Sequence, residues 1–204
     1  MRSRFPEYSN SVFINCPFDD DYKSLFHAMV FAIQACGFTP RCAKEDSGTD
    51  DIRIQKIIEI MRGCQLGIHD LSRTESSAAG LPRFNMPLEL GLFMGSKNFG
   101  DKEQKSKRYL VLDSEDFRFK AYISDLSGQD IQAHGNNVEG IISAIRAWLS
   151  HRTTRKMPHG SVIFNRYRRF LEILPELCIK MDWTVDELQF LEFTGLAKEW
   201  LNLE

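Results

Sequence analysis

At 204 residues the chain is long enough for one medium domain, or for one domain with a small appendage. A hydrophobic content of 43% with 26% charged residues is ordinary for a soluble globular protein. The formal net charge of -2 supplies no basic footprint for nucleic acid, so no nucleic-acid partner is expected.

The first residues, Met1-Arg-Ser-Arg-Phe-Pro6, lack the apolar segment of a signal peptide, and no stretch reaches the length of a membrane span. No membrane association is expected. Cys16, Cys36, Cys42, Cys64 and Cys178 contain no CxxC pair. Their odd number, with three of them inside apolar runs, predicts reduced, buried thiols and a cytoplasmic home.

Ser11-Val-Phe-Ile-Asn15 is a β-branched and aromatic run that predicts a buried strand. Cys16-Pro-Phe-Asp-Asp-Asp21 breaks it, and Asp19 or Asp20 can cap a helix from Tyr22 to about Ala35, which Gly37 ends. A second short strand is expected at 39–43. After the polar loop 44–49, Asp50 or Asp51 opens a helix through Arg62 with Ile54, Ile57, Ile58 and Met61 facing in. Residues 65–70 form a third strand whose polar end carries His69, Asp70 and Ser72. A Ser- and Ala-rich loop, 74–85, leads to the next helix. Residues 108–113 are a fourth strand and 131–134 a short fifth. Asn137 caps a helix from Val138 to Leu149.

Strands alternating with helical patterns at short loop lengths predict an α/β fold with a parallel sheet covered on both faces. Beyond a basic linker at 151–160, residues 161–204 read as two helices. One is kinked or split near Pro175. The other opens at a capping box, Thr184-Val-Asp-Glu187, and carries Trp183, Phe190, Phe193 and Trp200 as an aromatic stripe. Such stripes usually pack into a core, and the alternative is a dimer or partner surface.

The stretch Arg83-Phe-Asn-Met-Pro-Leu-Glu-Leu-Gly-Leu-Phe-Met-Gly95 organises the rest. Asn85 can cap a helix there, and Pro87 sits in the first turn, where its missing N–H costs nothing. The helix is apolar nearly all round except for Glu89, whose helical neighbours Met86, Leu92 and Phe93 are apolar. A carboxylate in that position is either functional or paired, with Arg83 or Arg73 as the partner. Burial raises its pKa and the helix N-terminus lowers it. Ligands of parallel sheets bind beyond the carboxyl ends of the strands, where Asn15 to Asp20, Lys44 to Gly48, His69 to Ser72 and the start of the Glu89 helix converge.

Other constellations carry less. There is no GxGxxG or GxxxxGK[ST] phosphate loop. Cys16 precedes Pro17 with no His placed beside it by sequence, which favours a structural thiol. Asp19-Asp20-Asp21 reads as a helix cap rather than a cation site, and no metal is expected. Arg152, Arg155, Lys156, Arg166, Arg168 and Arg169 read as a solvated face.

Val12-Phe-Ile-Asn15 at the head of a small flavodoxin-like domain resembles the first box of Toll/interleukin-1 receptor (TIR) domains. The lone Glu89 after the third strand is similar to the catalytic glutamate of TIR domains that cleave NAD. His69-Asp70 with Pro87-Leu-Glu-Leu-Gly91 also resembles the nucleoside 2-deoxyribosyltransferases. The resemblance covers about residues 11–150 and leaves 151–204 as a helical extension. TIR enzymes often carry Trp four residues before the glutamate, where this chain has Asn85 beside Phe84.

The resemblance implies a flavodoxin-like, TIR-type domain that cleaves the glycosidic bond of NAD or a related nucleotide. Glu89 is then catalytic, and Phe18, Asp19, Asp46, Asp70 and Asn85 line the pocket. Phe18, Tyr22 and Phe84 can stack on a ring. NAD enters as substrate, and no cofactor or metal is implied. Many bacterial TIR proteins act in antiphage defence by depleting NAD or making a cyclic ADP-ribose signal. A homo-oligomer or a partner defence protein is compatible with the resemblance, as is a non-enzymatic TIR-like interaction or sensing module.

Overall fold

The computed structural model describes residues 7–45, 52–74 and 83–204. The strands β1 (Ser11–Asn15), β2 (Thr39–Cys42), β3 (Leu66–Asp70), β4 (Arg108–Asp113) and β5 (Ile131–Ala133) form one parallel sheet in the order β2-β1-β3-β4-β5. The parallel sheet is what the alternating pattern predicts, and its order is the flavodoxin-like doubly wound one. Every residue of β1 and β3 is buried, which is why neither strand shows polar alternation. Pro40 is tolerated because β2 is an edge strand, where a missing N–H breaks no ladder.

The helices are α1 (Lys23–Ala35), α2 (Arg53–Arg62), α3 (Asn85–Phe99), α4 (Val138–Ser150), α5 (Gly160–Lys180) and α6 (Phe190–Leu203). Strand residues alternate between two cores. Val12, Ile14, Leu66, Ile68, Leu110 and Leu112 face α1 and α4. Phe13 and Val111 face α2 and α3 in two smaller clusters. Gly67 faces α3 as well, and a Cβ there would stand 2.8 Å from Phe93 Cζ, so glycine lets α3 approach the sheet.

The aromatic stripe of the extension packs inward. Phe190, Phe193 and Trp200 of α6 and Tyr167 and Phe170 of α5 share the core that holds Phe31 of α1. Phe31 lies 5.5 Å from Phe170 and 5.9 Å from Trp200, ring centroid to ring centroid. The extension is therefore a further layer on the α1–α4 face.

Two helical expectations need correction. α5 is not split but runs unbroken through Pro175. Pro175 is exposed, so the carbonyl it leaves without a donor can be satisfied by water. α6 starts at Phe190, not at Thr184. Its capping box is Gln189 with Glu192, while Thr184 Oγ1 donates to Glu187 Oε2 at 2.8 Å in a separate turn that lets Leu188 into the core.

Two other caps follow the sequence. Asp19 accepts from the Tyr22 amide at 3.2 Å at the head of a short 3-10 turn that leads into α1. Asn137 accepts from the Gly140 amide at 2.7 Å and caps α4. Gly37, with φ of +80°, follows α1 as its left-handed stop. The expected opening of α2 at Asp50 or Asp51 lies outside the described residues. All five cysteines are free and buried. Among the described residues no helix is long and apolar enough to cross a membrane.

Candidate active site

In this strand order the winding of the sheet reverses between β1 and β3, and the crevice above their carboxyl ends is where such sheets bind ligands. Asn15 ends β1. Its Nδ2 donates to the Met86 carbonyl at 2.8 Å and faces His69 Nδ1 at 3.0 Å. The first turn of α3 is thereby pinned over the crevice. His69 itself is fully buried among Phe13, Phe93 and Tyr109, and burial drives its pKa down to about 3, so it is a neutral part of the core.

Glu89 lies in the second turn of α3 on the wall of a cleft of about 280 Å³, lined by Arg53, Ile54, Ile57, Asn85, Leu88 and Glu89. Burial raises its pKa to about 7, and the Arg53 charge only partly opposes this. Arg53, at the start of α2, gave no sign of this role in the sequence. Among the described residues, no cation stands within ion-pairing distance of Glu89. The partners expected for it are engaged elsewhere: Arg73 Nη1 lies 2.9 Å from Asp19 Oδ1, and Arg83 Nη1 donates to Asp19 Oδ2. The ion-pair alternative for Glu89 is thus corrected, because a carboxylate from the loop after β1 takes both guanidiniums.

The other expected residues separate. Asn85 shares the cleft with Glu89 but does not cap α3. Phe84 occupies the cap position with no side-chain hydrogen bond. Phe84 and Leu88 are exposed there, which leaves an apolar rim. Phe18 and Asp19 line a second cleft, of about 170 Å³, with Phe26, His27, Lys44 and Phe190. Lys44 Nζ stands 5.0 Å from the Phe18 ring centroid. Asp46 lies outside the described residues.

Asp70 is fully buried and lines neither cleft. It accepts from Tyr22 Oη at 2.5 Å and from the Ser72 amide at 2.7 Å, and His134 Nε2 lies 3.0 Å away. Burial alone would raise its pKa, but these contacts outweigh burial and hold it low. Tyr22 is consequently a buried partner of Asp70, not a stacking platform.

A second polar cluster, at the end of β4, also escaped the sequence. Arg118 Nε donates to Asp113 Oδ1 at 2.7 Å, and Tyr122 Oη donates to Asp113 Oδ2 at 2.6 Å. Cys16 is buried with its thiol pushed well up by desolvation, which fits the structural reading.

Comparison with family models, with curated proteins and with solved structures gives no match.

Proposed function

We propose that the chain cleaves the N-glycosidic bond of NAD or a related nucleotide, with Glu89 as the catalytic carboxylate. The observation that carries this reading is an ionisable side chain with no ionic partner among the described residues, on the wall of a cleft, near the start of a helix above the carboxyl ends of a parallel sheet. Breaking a ribosyl–nitrogen bond passes through an oxocarbenium-like cation. An ionised Glu89 would stabilise that charge or attack C1′, as carboxylates do in glycosidases. The cleft volume is near the small end of ligand sites, which run from about 300 to 1,000 Å³. It suits a sugar and one ring, with the rest of a nucleotide outside.

The TIR resemblance supports the same chemistry and suggests a cellular role in depleting NAD or making a cyclic signal. A deoxyribosyltransferase would need an aspartate at the reacting sugar, and the buried position of Asp70 weighs against that alternative. The test is to incubate the protein with NAD and with deoxynucleosides, separate the products, and repeat with Glu89→Gln. Release of nicotinamide by the parent and not by the variant is expected. No cleavage of either substrate would leave an interaction module.

A further inference from the structure

Two arginines converge on one carboxylate in the crevice between β1 and β3. Arg73 follows β3, Arg83 precedes α3, and Asp19 belongs to the loop after β1. Arg73 Nη1 reaches Asp19 Oδ1 at 2.9 Å, Arg83 Nη1 donates to Asp19 Oδ2, and Arg73 also lies 3.5 Å from the exposed Asp21. Both guanidiniums are more than a third exposed, at 38% and 41%. Exposed pairs of this kind contribute little to stability, so the fold does not require them. Forked guanidiniums match the oxygens of a phosphate as well as those of a carboxylate.

Their position relative to Glu89 gives the arrangement a chemical meaning. Arg83 stands just ahead of α3, whose second turn carries Glu89, so the anion pair lies at the end of the helix nearest the carboxylate.

We propose that Arg73 and Arg83 form the phosphate-binding pair of this crevice, that Asp19 competes with phosphate for them, and that the substrate is a 5′-phosphorylated nucleotide and not a free nucleoside. This rests on the glycosidase reading of Glu89 for its second half, while the anion site stands on its own. Asp19 thereby changes role, from a residue that touches substrate to an internal competitor that sets the affinity for it.

The full chain is titrated calorimetrically with inorganic pyrophosphate at low and moderate salt. Binding is expected to weaken with salt and to tighten by about tenfold in Asp19→Asn, the size of one charge-assisted hydrogen bond. Asparagine keeps the helix cap, so this variant should fold. The double variant Arg73→Lys/Arg83→Lys keeps the charge but loses the fork, and should bind about tenfold more weakly.

Unchanged or weaker binding in Asp19→Asn, or an unaffected lysine double variant, reduces the triad to a staple between two loops and overturns the site. Equal cleavage of nucleosides and nucleotides overturns the substrate assignment. The expected binding pattern without cleavage of any nucleotide sinks the glycosidase reading and leaves the anion site in place.

Discussion

His134 and Asp70 face each other across the carboxyl edge of the sheet, Nε2 to Oδ2 at 3.0 Å, and neither side chain reaches solvent. His134 Nδ1 accepts from the Asn136 amide at 3.1 Å, which holds the ring in place beside the carboxylate. Together with Tyr22 and Ser72 this joins the ends of β5 and β3 to the head of α1. His134→Ala should leave a buried carboxylate short of a partner and cost about 3 kcal/mol in denaturant unfolding. Because the folded pKa of Asp70 is depressed below 3.8, this stabilisation is present above that value and is lost as pH falls through the folded pKa. The gap between parent and variant should therefore narrow in acid. A gap that is constant with pH would show that Asp70 is not its source.

Glu89→Gln should behave in the opposite sense. The folded carboxyl is raised from 4.5 to about 7, so the folded state holds its proton longer than the unfolded chain does. The parent then loses stability as pH climbs from 4.5 through 7, because the charge is buried when it forms. The variant has no such loss. Their stabilities should coincide near pH 4 and differ at pH 8 in the variant's favour, on the order of 1 kcal/mol once partial exposure is allowed for. A variant less stable than the parent at pH 8 would point to a structural partner for Glu89.

The same ionisation should govern catalysis. A carboxylate that faces a developing cation must be charged, so the rate constant for nucleotide cleavage should rise with pH and level off above about 7. Loss of the charge in Glu89→Gln should lower the plateau by about 10²–10³. A rate that falls through the same region would assign Glu89 as a proton donor.

Gly67→Ala tests how closely α3 sits on the sheet. The added methyl would stand 2.8 Å from both Phe93 Cζ and His69 Nε2. Overpacking of this kind costs about 1–3 kcal/mol, and the Phe93 and His69 rings must shift to accept it. Thermal unfolding should show the loss. An unchanged melting temperature would mean that α3 moves freely off the strand.

The strands were legible because both faces of β1 and β3 are buried and the chain answers with continuous apolar runs. Glu89 was legible as the one charge in the apolar first turns of α3. That Arg73 and Arg83 are engaged elsewhere was not, since the competing carboxylate, Asp19, comes from a loop far away in sequence. The partners of Asp70 were hidden for the same reason: a polar residue at a strand end looks alike whether it meets substrate or a histidine that arrives after β5. The start of α6 was misjudged because Thr184 with Glu187 and Gln189 with Glu192 offer equivalent boxes, and only the burial of Leu188 chooses between them.

The aromatic layer that unites α1 with α5 and α6 sets a timetable. During synthesis α1 emerges early, yet Phe31 gains its neighbours Tyr167, Phe170 and Trp200 only after nearly the whole described chain has been made. Contacts so distant in sequence slow folding and leave apolar surface open meanwhile. A nascent chain halted after α4 would present that bare aromatic face to chaperones or to other nascent chains, and shortening the protein at its linker would make the exposure permanent.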